Sequence, residues 1–233
     1  MSGEAFPIVL ADGIALIGQD RDSVCIGDID DTLVRITCAD CSVRRLCIEH
    51  AYVIAIQVRG SADRARVESL RTTGGCAVVI EGAEDTIVRD CQLVGSPKCP
   101  RGCGIRMTGG DAGTVIRGCT MEGFDWAAYV DSSSNALIED CIFGFNYHDI
   151  YLCYNDDPLG SPNPDLGGGA RAGAGRSDFG SFKRTWHPAD CEPGCRLTNL
   201  TTNTIFARNN TWSAYPPVEG TDFCNPNGGQ VIW

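Results

Sequence analysis

The stretches "TIVRDCQLVG" (86–95), "TVIRGCTMEG" (114–123) and "ALIEDCIFGF" (136–145) are one pattern written three times, with a cysteine in the same slot. A repeat of this kind constrains the fold more than any other feature, because each copy must meet the same surroundings as the last. Taking the sixth slot as anchor, the series runs Leu46, Leu70, Cys91, Cys119, Cys141, at intervals of 21 to 28 residues. The third slot is Val43, Val67, Val88, Ile116, Ile138, always β-branched, and the eighth is Ile48, Thr72, Leu93, Met121, Phe143. Between the third and sixth slots lie polar or charged pairs, which suit a bend facing water.

A shorter motif falls between the copies: "AIQVRG" (55–60), "VVIEG" (78–82), "IRMTG" (105–109) and "AYVDS" (128–132). Its alternation of apolar and polar residues predicts strands with one buried face. Helical periodicity is absent, and a sandwich would need the chain to reverse every 8–12 residues or so. Equivalent strands instead recur in the same direction, so successive windings must pair in parallel. The expected fold is all-β: a right-handed parallel β-helix, a single domain over residues 1–233 of roughly seven to nine coils. Regular coils are expected over 18–153, a Gly/Pro-rich loop excursion over 154–194, a closing coil over 195–212 and a C-terminal cap over 213–233. The stretch 5–17 and the tail are expected to cover the open strand edges at the two ends, the tail by packing Phe223 and Trp233.

These repeats resemble the right-handed parallel β-helix superfamily, whose best-known members are pectate lyases and related polysaccharide enzymes. More narrowly, "GEAFPIVLADGIALIGQDRDSVCIGD" (3–28) resembles the opening of a family of secreted β-helix proteins. "PDLGGGARAGAGRSDF" (164–179) and "CRLTNLTTNTIFARNNTW" (195–212) resemble its closing coils. In such folds the bend slot often holds stacked asparagines; here Asn210 occupies it in the last coil and cysteines occupy it in the middle. The resemblance implies the fold and leaves the activity unassigned.

The net charge of −11 argues against a nucleic-acid partner, since phosphate affinity comes from clustered Lys and Arg, and it disfavours anionic membranes for the same reason. The longest apolar run is far short of the ~20 residues that span a bilayer, so no membrane insertion is expected. The opening "MSGEAFPIVLADG" shows neither a basic region nor a long apolar one, so no signal peptide is visible. Fourteen cysteines nevertheless suit an oxidising compartment. The expected location is extracellular or at the cell surface.

"CADC" (38–41), "CPRGC" (99–103) and "CEPGC" (191–195) offer local pairs, Cys38 with Cys41, Cys99 with Cys103 and Cys191 with Cys195. Disulfides, free thiols and, less readily, metal ligation are the readings open to them. Cys91, Cys119 and Cys141 cannot all pair with one another, and an inward column of reduced thiols behaving as small hydrophobes is the better reading. Cys76 and Cys103 share another slot on adjacent coils.

Three outward columns follow from the alternation. The first is Ala55, Ala77, Gly104, Ala127, Asp149. The second is Gln57, Val79, Arg106, Tyr129, Tyr151, and the third is Arg59, Glu81, Thr108, Asp131, Cys153. Arg106, Tyr129, Asp131, Asp149 and Tyr151 thereby form a candidate carbohydrate-binding face, with aromatic rings to pack on sugars and polar groups to orient them. The competing reading is that a loop lies over this face. Catalysis would require more: a lyase needs carboxylates holding Ca²⁺ and a base, for which Asp131, Asp149, Asp156, Asp157 and Arg106 are weak candidates. No other cofactor is expected. A glycosidase would need two carboxylates ~5–9.5 Å apart across one bond. His148 falls in an inward slot and is expected to be structural. The expected role is non-catalytic, binding polysaccharide or self-associating, with a lyase or hydrolase as the alternative.

Overall fold

The computed structural model describes residues 7–10, 12–20, 25–29, 32–96, 102–109, 112–131, 135–153, 162–179 and 195–233. Among these residues the regular structure is strand, and every strand pairing is parallel. One sheet runs Ile8–Leu10, Val34–Ile36, Cys47–Arg59, Arg71–Glu81, Cys103–Thr108, Trp126–Asp131, His148–Cys153, Leu197–Asn199, Phe223–Cys224. A second runs Ala15–Ile17, Ser42–Arg44, Arg66–Glu68, Ile87–Arg89, Val115–Arg117, Leu137–Glu139, Asp165–Gly167, Thr204–Ala207, Gln230–Ile232. A third face, Gln92–Gly95, Thr120–Glu122 and Ile142–Gly144, joins the first sheet where Gln92 pairs with Arg71 in the long strand Arg71–Glu81. The expected β-helix is thus the fold observed.

Register explains why the repeat is written as it is. Val43, Val67, Val88, Ile116 and Ile138 pair in succession across the second sheet, and each is buried. In the next column inward, Leu93, Met121 and Phe143 pair in turn. That column continues in rings, Phe143 stacking on Phe179 at 4.9 Å and Phe179 on Trp212 at 4.8 Å between centroids. Identical slots pack identical chemistry because neighbouring strands are only ~4.8 Å apart.

The fifth slot makes the corner. Arg45, Ser69, Asp90, Gly118, Asp140, Arg176 and Asn209 have φ between 52° and 64°, the left-handed conformation. Asp, Asn and Gly accept that conformation most readily. At the corners from Arg45 to Arg176 the N–H donates to a carbonyl of the next coil, as from Asp90 N to Arg117 O at 3.1 Å and from Arg176 N to Asn209 O at 3.0 Å. Those bonds carry the parallel ladder around the bend.

The coil count extends beyond the expected boundaries. Asp165–Gly167 sits in the second sheet between Leu137–Glu139 and Thr204–Ala207, and Asp178 bridges Ile142 and Thr211. Residues 165–179, read from sequence as part of an excursion, are therefore a winding of the solenoid. The stretches at the two ends also wind rather than merely cover. Ile8–Leu10 and Ala15–Ile17 open the two sheets, while Phe223–Cys224 and Gln230–Ile232 close them. Phe223 packs on the core, but Trp233 is 44% exposed and meets Tyr215 edge-on, so it does not seal the end.

Candidate functional site

The strands of the first sheet point Ile56, Val78, Ile105, Ala128 and Ile150 into the core, all fully buried. Their neighbours Gln57, Val79, Arg106, Tyr129, Tyr151 and Thr198 stand in register as one outer column. Its lower part is closed by polar bonds: Arg35 Nε donates to Gln57 Oε1 at 2.9 Å, and Gln57 Nε2 donates to Glu81 Oε2 at 3.2 Å. Arg59 Nε lies 2.8 Å from that same Glu81 oxygen.

The upper part is aromatic. The exposed Arg106 guanidinium sits 5.6 Å from the Tyr129 ring centroid, and Tyr129 and Tyr151 stack at 5.6 Å with ring planes 17° apart. Trp126 meets Tyr129 edge-on at 5.6 Å and Tyr151 at 6.0 Å. His148 lies 5.0 Å from Tyr151 and 4.5 Å from Tyr147. Its Nδ1 is 3.1 Å from Cys195 O and 2.9 Å from Thr198 Oγ1. A carbonyl only accepts, so Nδ1 carries the proton, which fixes the ring as a structural post. Burial, then the bond with the Cys153 thiol, raises the Tyr129 hydroxyl well above an ordinary phenol; burial raises Tyr151 as well. Both are neutral hydroxyls at physiological pH.

Arg106, Tyr129 and Tyr151 are therefore brought together. Asp131 lies on the same strand as Tyr129, paired with Cys153 and only 8% exposed. Asp149 is not on this face. It is fully buried, its Oδ2 3.2 Å from Arg196 Nη1 and its Oδ1 accepting from Asn146 Nδ2 at 3.1 Å. The whole column expected to be outward at Ala55, Ala77, Gly104, Ala127 and Asp149 is buried. At Asp149, the second residue of His148–Cys153, the reason is local. Asp149 N and Ile150 N both donate to Arg196 O at 2.9 Å, so two successive residues share one side of the chain. Strict alternation carried through this irregularity thus assigns Asp149 to the wrong face. Trp126, one slot ahead of the indexed columns, and Thr198, in a coil beyond the five that were registered, were indexed to no column.

The weak calcium candidates Asp156 and Asp157 lie outside the described residues, as do 154–161 and 180–194, the greater part of the stretch 154–194 that the competing reading lays over the face. Among the described residues no group of three or more His, Cys, Asp or Glu is disposed to hold a metal ion.

The "GGG" stretch cradles an anion, but its own. Asp165 accepts from the backbone N–H groups of Gly167, Gly169, Arg171 and Gly173 at 2.9 to 3.2 Å. Burial opposes its charge, yet those four donors hold the carboxyl below its ordinary value. Arg171 then ties the loop to the preceding coils through Thr114 O at 2.7 Å and Gly113 O at 3.1 Å.

The cysteines sort into bonded and free. Cys38 and Cys41 form a disulfide, one of the readings that the sequence left open. Cys195 bonds Cys224 rather than Cys191, and Cys103 is a free thiol rather than a partner of Cys99. Cys99 and Cys191 themselves lie outside the described residues. Cys47 is also disulfide-bonded. Cys91, Cys119 and Cys141 are reduced, buried and stacked in consecutive coils. Their thiols donate to nearby carbonyls, Cys91 to Arg89 O at 3.2 Å and Cys141 to Glu139 O at 3.3 Å. The hydrogen bond with Cys119, then burial, raises the Cys91 thiol well above the usual range; the bond with Cys141, then burial, raises Cys119 against the opposing effect of its bond with Cys91.

A protein-family model described as "Right handed beta helix region" matches residues 36–163. No curated protein and no solved structure matches the chain.

Proposed function

The chain belongs to the right-handed β-helix family, and from that premise we propose that it is a non-catalytic extracellular or surface solenoid that binds carbohydrate on the first sheet's outer face. The observation that carries this reading is the ladder Arg106–Tyr129–Tyr151, half-open to solvent and aligned with the solenoid axis. Stacking on one another holds the rings rigid, so little side-chain entropy is lost when a ligand arrives. Trp126 adds apolar surface beside them, and the neutral tyrosine hydroxyls and the Arg106 guanidinium supply hydrogen bonds of the kind sugars take. The disulfides Cys38–Cys41 and Cys195–Cys224 suit an oxidising location.

The lyase or hydrolase reading rests on Asp131, the carboxylate on the ladder's own strand. It is the weaker one, because Asp149, the second carboxylate it wanted, is inside the core and engaged by Arg196. The test is a glycan array followed by calorimetry on the glycans retained. Arg106→Ala and Tyr151→Ala should each weaken binding at least tenfold while the melting temperature stays within a few degrees. Calcium-dependent breakdown of a polyuronate or hydrolysis of a glycan, abolished by Asp131→Asn, would replace this reading with the enzymatic one. Binding unaffected by either ladder variant would remove the face from consideration.

A further inference from the structure

Cys76 and Cys103 occupy equivalent positions on adjacent windings: Val78 pairs with Ile105, and the two cysteines stand two residues before each. They are hydrogen-bonded to one another and neither is in a disulfide. Cys76 is partly open to solvent, while Cys103 is 4% exposed behind it. Adjacent parallel strands lie ~4.8 Å apart, inside the ~4.4–6.8 Å range of Cα separations that a disulfide spans. We propose that Cys76 and Cys103 form a redox-active dithiol site, with Cys76 the attacking thiol and Cys103 the resolving one, that exchanges with low-molecular-weight disulfides.

The chemistry balances within those reactants. The Cys76 thiolate attacks one sulfur of a disulfide RSSR, the S–S bond breaks, and RS⁻ leaves and takes up a proton. Cys103 gives up its proton and attacks the Cys76 sulfur of the mixed disulfide, expelling the second RS⁻. Two electrons pass from the dithiol to RSSR, yielding a Cys76–Cys103 disulfide and two RSH. Local electrostatics favour this division of labour. The hydrogen bond from Cys103, against the effect of burial and with help from the Arg106 charge, lowers the Cys76 thiol, which favours its thiolate. Cys103 is raised by the same bond, then by burial. The stacked thiols Cys91, Cys119 and Cys141 are buried, and they serve as internal controls.

The experiment uses the full chain with its other disulfides intact. Limiting iodoacetamide at pH 7, followed by peptide mapping, should label Cys76 at least tenfold faster than Cys91 or Cys119. Glutathione disulfide, then acid quench and mapping, should yield a peptide pair linked through Cys76 and Cys103. In Cys103→Ser the exchange should stop at a glutathione adduct on Cys76. A pair isolated already closed, and reopened by mild thiol, counts for the proposal equally. The proposal is overturned by a Cys99–Cys103 link, by a lasting wild-type adduct on Cys76 with Cys103 still alkylatable, or by Cys76 labelling no faster than the buried thiols.

Discussion

Arg196 Nη1 lies 3.2 Å from Asp149 Oδ2 inside the solenoid, with both side chains shut off from water. Two charges in such a place depend on each other. Removing one leaves the other buried and unpaired, at a cost of about 3–5 kcal/mol. Asp149→Ala should therefore lower the urea stability by about that amount, and Arg196→Met in the same background should restore much of it. A near-neutral Asp149→Ala, within about 0.5 kcal/mol, would mean that this carboxylate is not the buried partner described here.

Asp165 provides a pH signature. Its four backbone donors lower the folded carboxyl below the unfolded value. Its contribution to stability is therefore complete above the unfolded value of about 3.9 and drains away as pH falls through the lowered folded value. Asp165→Asn turns an amide toward N–H groups that want an acceptor and should cost about 1–3 kcal/mol at pH 7. Denaturant midpoints of the two proteins should converge as the pH approaches 2. A constant gap across the acid range would contradict the cradle.

The columns Val43–Val67–Val88–Ile116–Ile138 and Cys91–Cys119–Cys141 were legible in the sequence because the pattern around the bend survives where coils differ by only a few residues. The interval from Cys141 to Ser177 is longer, and its Gly-rich filling hid a winding whose bend, Arg176 in the left-handed conformation, follows the common pattern. Asp149 was misplaced because strict alternation fails where Asp149 N and Ile150 N donate to the same carbonyl, that of Arg196. Cys195 was assigned to the nearest cysteine, whereas stacking of the final windings brings Cys224 to it from 29 residues away. The ladder Tyr129–Tyr151 was found because its residues lie mid-strand, where alternation holds.

The bend column can be tested by exchange of its own members. Cys141 N donates to Ser177 Oγ at 3.2 Å, and Ser177 N donates to Asn210 Oδ1 at 2.9 Å. Asn210 Nδ2 donates to Leu166 O and Ala207 O, each at 2.8 Å. The Cys141 thiol uses the comparable carbonyls of Ile116 and Glu139. Asparagine at this slot offers a donor to those carbonyls, so Cys141→Asn should change stability by no more than about 1 kcal/mol. Aspartate would put a charge against carbonyl oxygens, and Cys141→Asp should lose about 3 kcal/mol or more at pH 7. Thermal melts of the two variants should separate clearly; equal melts would refute the bonding pattern.

The two disulfides should differ in what they contribute. Cys38 and Cys41 are three residues apart, while Cys195 and Cys224 are separated by 29. Cross-linking restricts the unfolded chain more as the closed loop lengthens, and a loop of the latter size is worth about 3–4 kcal/mol on chain-entropy grounds. The longer bridge also ties Cys195, two residues before the strand Leu197–Asn199, to Phe223–Cys224, the last pair of the first sheet among the described residues. Cys224→Ala should therefore lower the denaturation midpoint well beyond Cys41→Ala. Native-state hydrogen exchange should rise first at Phe223–Cys224 and Gln230–Ile232, with the strands from Ser42 to Glu139 unchanged. Equal losses from the two variants, or exchange rising uniformly along the solenoid, would show that the terminal winding does not depend on this bridge.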